Sequence, residues 1–152
     1  MTLSRSCGWS LVAAVLLACS SDGVVGPSSG LDHVAATFAC GPADGPALAI
    51  YFSQNPVTIG DPPGAFVRVY VSGTVDEIIG KMWPLAPGSN ASAWFHSGGN
   101  DGELAAGGYL LVNSRSADDL ALLGTVDIQF PTAGHLQRAF RAEWSQSAVL
   151  CV

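Results

Sequence analysis

The chain has 152 residues, 49% of them hydrophobic and only 12% charged, with 18 Gly and 9 Pro. It is too apolar for a disordered chain and too rich in Gly and Pro for a helical bundle, so a single all-β domain is the expected class. Lys and Arg number 6 against 12 Asp and Glu, and the net charge of −6 repels a phosphate backbone and removes the counterion-release drive, which excludes nucleic acid as a partner.

At the start of the chain, Arg5 and the α-amino group precede an apolar run, Gly8 to Ala18 (GWSLVAAVLLA). At about 1.5 Å per residue the run is too short to span a ~30 Å hydrocarbon core, and it has the charge and length of an export signal over residues 1–18. It ends in Leu16-Leu17-Ala18-Cys19. In these residues the chain resembles bacterial lipoprotein precursors, whose lipobox sets an aliphatic residue and usually two small ones before the Cys that receives a diacylglyceryl thioether. Leu16, Ala18 and Cys19 match by position, while Leu17 is larger than the usual residue there. The resemblance implies cleavage before Cys19, lipid on its sulfur, and the membrane as a partner reached through that lipid. Ser20 in place of an Asp implies the outer membrane of the bacterial cell envelope. Two or three acyl chains anchor a soluble domain stably, which one does not.

Residues 19–30 continue as the lipidated Cys and a tether, SSDGVVGPSSG from Ser20 to Gly30, which at roughly 5–6 Å × √n holds the domain about 18 Å from the lipid. Gly26-Pro27-Ser28-Ser29-Gly30 matches G-x-S-x-G, but a nucleophile elbow requires a strand before it and a helix after it, and a linker supplies neither. With Cys7 lost in the signal and Cys19 lipidated, only Cys40 and Cys151 of the four cysteines are left to pair. In an oxidising compartment a disulfide between them would close a loop of roughly 110 residues, for which the chain-entropy model gives about 4–5 kcal/mol. Two buried thiols or a redox pair are the alternatives, and no Cys-x-x-Cys supports the latter.

From Leu31 the hydrophobic period is two. Alternation marks strands at Val34–Cys40, Leu48–Ser53, Phe66–Ser72, Ser92–His96, Gly108–Asn113, Thr125–Phe130 and Leu136–Trp144. Arg138 interrupts the last pattern, either snorkelling at a strand end, the preferred reading, or pairing with a buried acid. Turn residues separate the strands at Asn55–Gly64, Pro87–Asn90, Ser97–Gly102 and Pro131–Gly134. Thr74-Val75-Asp76-Glu77 fits a capping box, whereas a strand from Glu77 to Leu85 is the competing reading and is preferred because Gly80 weakens a helix. Seven or eight short strands in residues 31–152 predict a small antiparallel β-sandwich or up-and-down β-barrel. The last third also loosely resembles uncharacterised all-β domains of exported bacterial lipoproteins, in Gly107-Gly108-Tyr109, Leu123-Gly124-Thr125-Val126 and Phe140-Arg141-Ala142-Glu143-Trp144.

Motifs for catalysis are sparse. His33, His96 and His135 have no metal-ligand spacing, so no metal and no cofactor is expected. Asn100-Asp101-Gly102-Glu103 offers oxygens to Ca²⁺, but a Gly-rich hairpin turn accounts for it without one. Asp118-Asp119 after Ser116 reads as a polar turn. Aromatic residues carry more: Phe66, Arg68 and Tyr70 share a strand face and, with Trp83 and Trp94, form the candidate binding strip, although a domain of this size also needs rings for its core. The expectation is a lipid-anchored envelope protein with a non-catalytic β-domain that binds or supports an envelope protein or glycan. A calycin-like carrier of a small apolar ligand is the first alternative and an envelope hydrolase the second.

Overall fold

The computed structural model describes residues 30–41, 45–58, 60–99 and 101–145. The signal, Cys19 and Cys151 lie outside the described residues. In chain order the domain forms β1 (His33–Cys40), β2 (Pro46–Ser53), β3 (Phe66–Ser72), a helical turn α1 (Val75–Ile78), β4 (Met82–Pro84), β5 (Ala91–His96), β6 (Gly102–Leu104), β7 (Gly107–Arg115), β8 (Ala121–Phe130) and β9 (Gly134–Trp144). The all-β expectation holds, and each strand read from alternation is present.

The arrangement departs from expectation in three ways. Nine strands form one mixed sheet, in the order β4-β7-β8-β9-β1-β2-β3-β5-β6, instead of seven or eight in a wholly antiparallel sandwich or barrel. Nor is the order up-and-down: two meanders, β1-β2-β3 and β7-β8-β9, meet edge to edge. Their junction is parallel, because β1 and β9 run in the same direction, and its register joins Ala35 to Glu143 and Ala36 to Trp144. Third, a further strand, β6, begins at Gly102 within the stretch read as a Gly-rich turn and pairs with β5 through Trp94–Leu104, Phe95–Glu103 and His96–Gly102. Three residues led by a glycine are too few for alternation to register.

The segment after β3 corrects the preferred reading of a strand from Glu77 to Leu85: the capping box forms a helical turn first, and only Met82–Pro84 is a strand. Thr74 accepts from the Glu77 N–H, and the Glu77 carboxylate accepts from the Thr74 N–H at 2.8 Å, so the capping box forms and starts α1. The helix stops within a turn, since Ile79 is extended and Gly80 takes φ of +78°. The chain then enters β4, where the Trp83 indole N–H donates to the Ile78 carbonyl at 3.2 Å.

Period-two alternation places Leu48, Ile50, Phe52, Val67, Val69, Leu110, Val126, Ile128 and Leu136 in one core, each with 1% exposure or less. The sheet curls around this core. Phe95 of β5 meets Phe130 of β8 at a centroid distance of 5.9 Å although the two strands are far apart in sheet order, and Phe52 of β2 meets the Phe140 ring edge-on at 5.5 Å. Arg138 does neither thing expected of it: its guanidinium donates to the Leu31 carbonyl at 2.8 Å, tying the chain ahead of β1 to β9.

Gly124 is a close backbone approach beside this core. A Cβ there would lie 2.4 Å from the Leu111 carbonyl oxygen and 2.6 Å from the Phe140 ring. Gly124→Ala is therefore expected to lower stability by about 1–3 kcal/mol through overpacking, measured by thermal or urea unfolding. Gly99→Ala is the control, since its Cβ would meet nothing within 4 Å.

Candidate functional site

The strand registers convert the outward residues into a lattice. Arg68 of β3 lies between Tyr51 of β2 and Trp94 of β5, and the neighbouring row is Ala49, Tyr70 and Ser92. These six residues, with Ala39 and Cys40, line a groove of about 320 Å³ on the outer face. Its floor is low because Ala39 and Ala49 contribute only methyl groups. Tyr70 crosses β2 to donate its hydroxyl to the Cys40 carbonyl at 2.8 Å, which fixes the ring across the sheet.

The loop between β2 and β3 reaches two of the lining residues. Asp61 in that loop accepts from Arg68 Nη1 at 3.1 Å and from the Tyr51 hydroxyl at 3.3 Å. Burial, with Asp61 beside it, pushes the Tyr51 phenol above its ordinary value. Arg68 remains 35% exposed at its side chain. Among the described residues the indole N–H of Trp94 and the Ser92 hydroxyl make no hydrogen bond, and the Arg68 guanidinium faces the Tyr51 hydroxyl as well as Asp61.

Of the residues read as a binding strip, Arg68, Tyr70 and Trp94 come together here. Phe66 shares their face but is 5% exposed, packed with Ala49 and Tyr51 beneath Val57. Its ring stacks on His96 at 4.5 Å. Trp83 belongs to another part of the sheet and packs against the main core, so it drops out of the strip. Tyr51, Asp61 and Ser92 are the additions. Tyr51 and Ser92 had a sequence signal, their outward positions in alternating runs. Asp61 sits in a turn with no pattern to point across to Arg68.

The ionisable groups elsewhere have structural work. Glu103 accepts from the Thr132 N–H, the Thr132 hydroxyl and the Ala133 N–H, and these bonds hold its carboxyl below the usual range. That commits the Glu103 oxygens offered to Ca²⁺, while Asn100 lies outside the described residues. Asp127 holds both His135, at 2.9 Å, and Gln137, at 3.0 Å. Asp118 accepts from the Ser116 hydroxyl and from the Leu120 N–H, forming the polar turn expected there. Among the described residues no three of His, Cys, Asp and Glu converge as a metal site.

No known family model, curated protein or solved structure matches this chain, so the functional reading rests on its own residues.

His96 adds a pH-sensitive contact beside the groove. Its ring lies between Phe66 and Gly102, where a Cβ would come within 2.7 Å of it, and its Nε2 is buried with no hydrogen bond among the described residues. Burial and the positive charge of Arg68 push the imidazole below its ordinary 6.5, with Asp61 opposing. The unfolded chain then binds a proton at pH values where the folded ring does not. Stability owed to neutral His96 is complete above about 6.5 and is lost as pH falls through the lower folded value. Denaturant midpoints followed from pH 8 to pH 5, at about one-unit steps, are expected to lose part of this slope in His96→Phe. An unchanged slope would count against the assignment.

Proposed function

We propose that this is a lipid-anchored protein of the bacterial cell envelope, held at the outer membrane through Cys19, whose β-domain is a non-catalytic binding module. The observation that carries the binding role is the groove of Tyr51, Arg68, Tyr70, Ser92 and Trp94, where the partly exposed rings of Tyr70 and Trp94 lie beside the Arg68 guanidinium and the Ser92 hydroxyl. Such a combination of apolar faces and a few fixed polar groups suits recognition. The engagement of Glu103, Asp118 and Asp127 in holding turns and side chains supports a binding role over hydrolysis. The inward rings, Phe52 on Phe140 and Phe95 on Phe130, pack on each other and favour a surface ligand over an interior one.

The anchor is supported by the apolar run and Leu16-Leu17-Ala18-Cys19. Radiolabelled fatty acid is expected to enter the wild-type chain in a bacterial host and to be absent from Cys19→Ala. Equal labelling of the two refutes the anchor.

The same reading includes a Cys40–Cys151 disulfide, and reach supports it. Beside Ala36, the Ser145 N–H donates to the Ala36 carbonyl at 2.8 Å, which places the chain leaving β9 on the flank of β1. From there Cys40 is about 13 Å along the strand, and the chain from Ser145 to Cys151 extends to about 20 Å at ~3.3 Å per residue. Thiol trapping of exported protein without reductant is expected to find both cysteines blocked, and free thiols at these positions would end the proposal.

A further inference from the structure

We infer that the outer groove takes the ring of a neutral sugar, as part of an oligosaccharide. This rests on the reading of the β-domain as a binding module and names the ligand class of its groove.

The lining is chemically mixed in a way that selects among ligands. A purely apolar molecule would bury the Arg68 guanidinium and the Ser92 hydroxyl without replacing their water, which carries a desolvation penalty. An anion gains little, because Asp61 already occupies Arg68 at 3.1 Å and the chain carries a net charge of −6. A cation meets the guanidinium between Tyr51 and Trp94. What remains is a neutral molecule with one apolar face and a rim of hydroxyls, and a pyranose ring has this form. Its C–H face can lie on an aromatic ring while its hydroxyls exchange hydrogen bonds around the edge.

Each requirement has a residue. Tyr70 and Trp94 supply rings, and the Tyr70 ring is held in place by its bond to the Cys40 carbonyl at 2.8 Å. Ala39 and Ala49 leave the floor low enough for a ring to settle. Arg68 presents a planar fork of N–H donors, part of which Asp61 and the Tyr51 hydroxyl engage, and the remainder is offered to vicinal hydroxyls. Asp61, bonded through Oδ1 to Arg68 and Tyr51, has a second carboxylate oxygen that can accept from a sugar hydroxyl, and Ser92 both donates and accepts. Because Asp61 and the Tyr70 hydroxyl fix Arg68 and the ring beforehand, little side-chain order remains to be lost on binding. The groove of about 320 Å³ is at the small end of the ~300–1,000 Å³ range for ligand sites, which suits a short stretch of glycan with the chain running out into solvent.

The test is calorimetric titration of the full chain in detergent with tetrasaccharides of glucose, mannose, galactose and N-acetylglucosamine, and with the galacturonic acid tetrasaccharide as an anionic counterpart. Binding of at least one neutral probe is expected, weakened about tenfold or more in both Trp94→Ala and Arg68→Gln, a change equivalent to 1.4 kcal/mol. Trp94→Phe, which keeps a ring, is expected to retain most of the affinity. Unfolding curves on each variant confirm that the loss is local, and both residues are partly exposed on the outer face. Absence of binding by all four neutral probes, binding unaffected by either substitution, or preference for the galacturonic acid probe overturns the neutral-sugar site. The anchored-module reading stands apart from these outcomes, because fatty-acid labelling at Cys19 decides it.

Discussion

The rest of the domain depends on the parallel seam between β1 and β9. Each meander on its own is a three-stranded sheet with one apolar face uncovered, and only by meeting do the two enclose a common core. The seam is short. Two register pairs and the Ser145 to Ala36 bond compare with ten register pairs between β8 and β9. Parallel pairing is also slightly less stable per residue than antiparallel. Side chains compensate on both sides of it: Phe140 reaches Phe52 over the core, and Arg138 holds the Leu31 carbonyl at the edge.

The strand alternation that builds this core also builds the groove. On β3, Val67, Val69 and Val71 are fully buried, and the intervening Arg68 and Tyr70 face outward. Burying a valine or phenylalanine contributes about 1.5–3 kcal/mol, whereas an exposed ion pair contributes about 0–1 kcal/mol. The inward residues therefore carry the stability. The Arg68–Asp61 pair contributes little to folding by that comparison and instead fixes where a guanidinium sits between two aromatic rings.

Much of the fold was legible in sequence because period-two alternation is a local property. The run from Thr125 to Phe130 reads as a half-buried strand from its own residues, and Phe66, Arg68 and Tyr70 share a face by spacing alone. Register is not local. That Trp94 stands beside Arg68 follows from how β5 pairs with β3 across a long connection that contains α1 and β4. That Phe66 is covered follows from the loop holding Val57 and from His96, neither of which its own strand encodes. Trp83 shows the converse, an aromatic in a suitable run whose indole is spent on the Ile78 carbonyl. Arg138 looked anomalous because acids and solvent are the usual partners considered for an arginine, and a main-chain carbonyl leaves no trace in the side-chain pattern. The segment from Thr74 to Leu85 had two competing local signals: the capping box prevails through Ile78, and the strand is confined to Met82–Pro84.

The position of Leu31 along the flank of β9 has a mechanical consequence. A pull on Leu31 directed along the axis of β1 acts on a strand whose eight residues are registered against β2 from His33–Ser53 to Cys40–Pro46. Such a force loads those hydrogen bonds together in shear, along the strand, instead of opening them one at a time. The Arg138 guanidinium takes the load first, at the point where the chain joins the sheet.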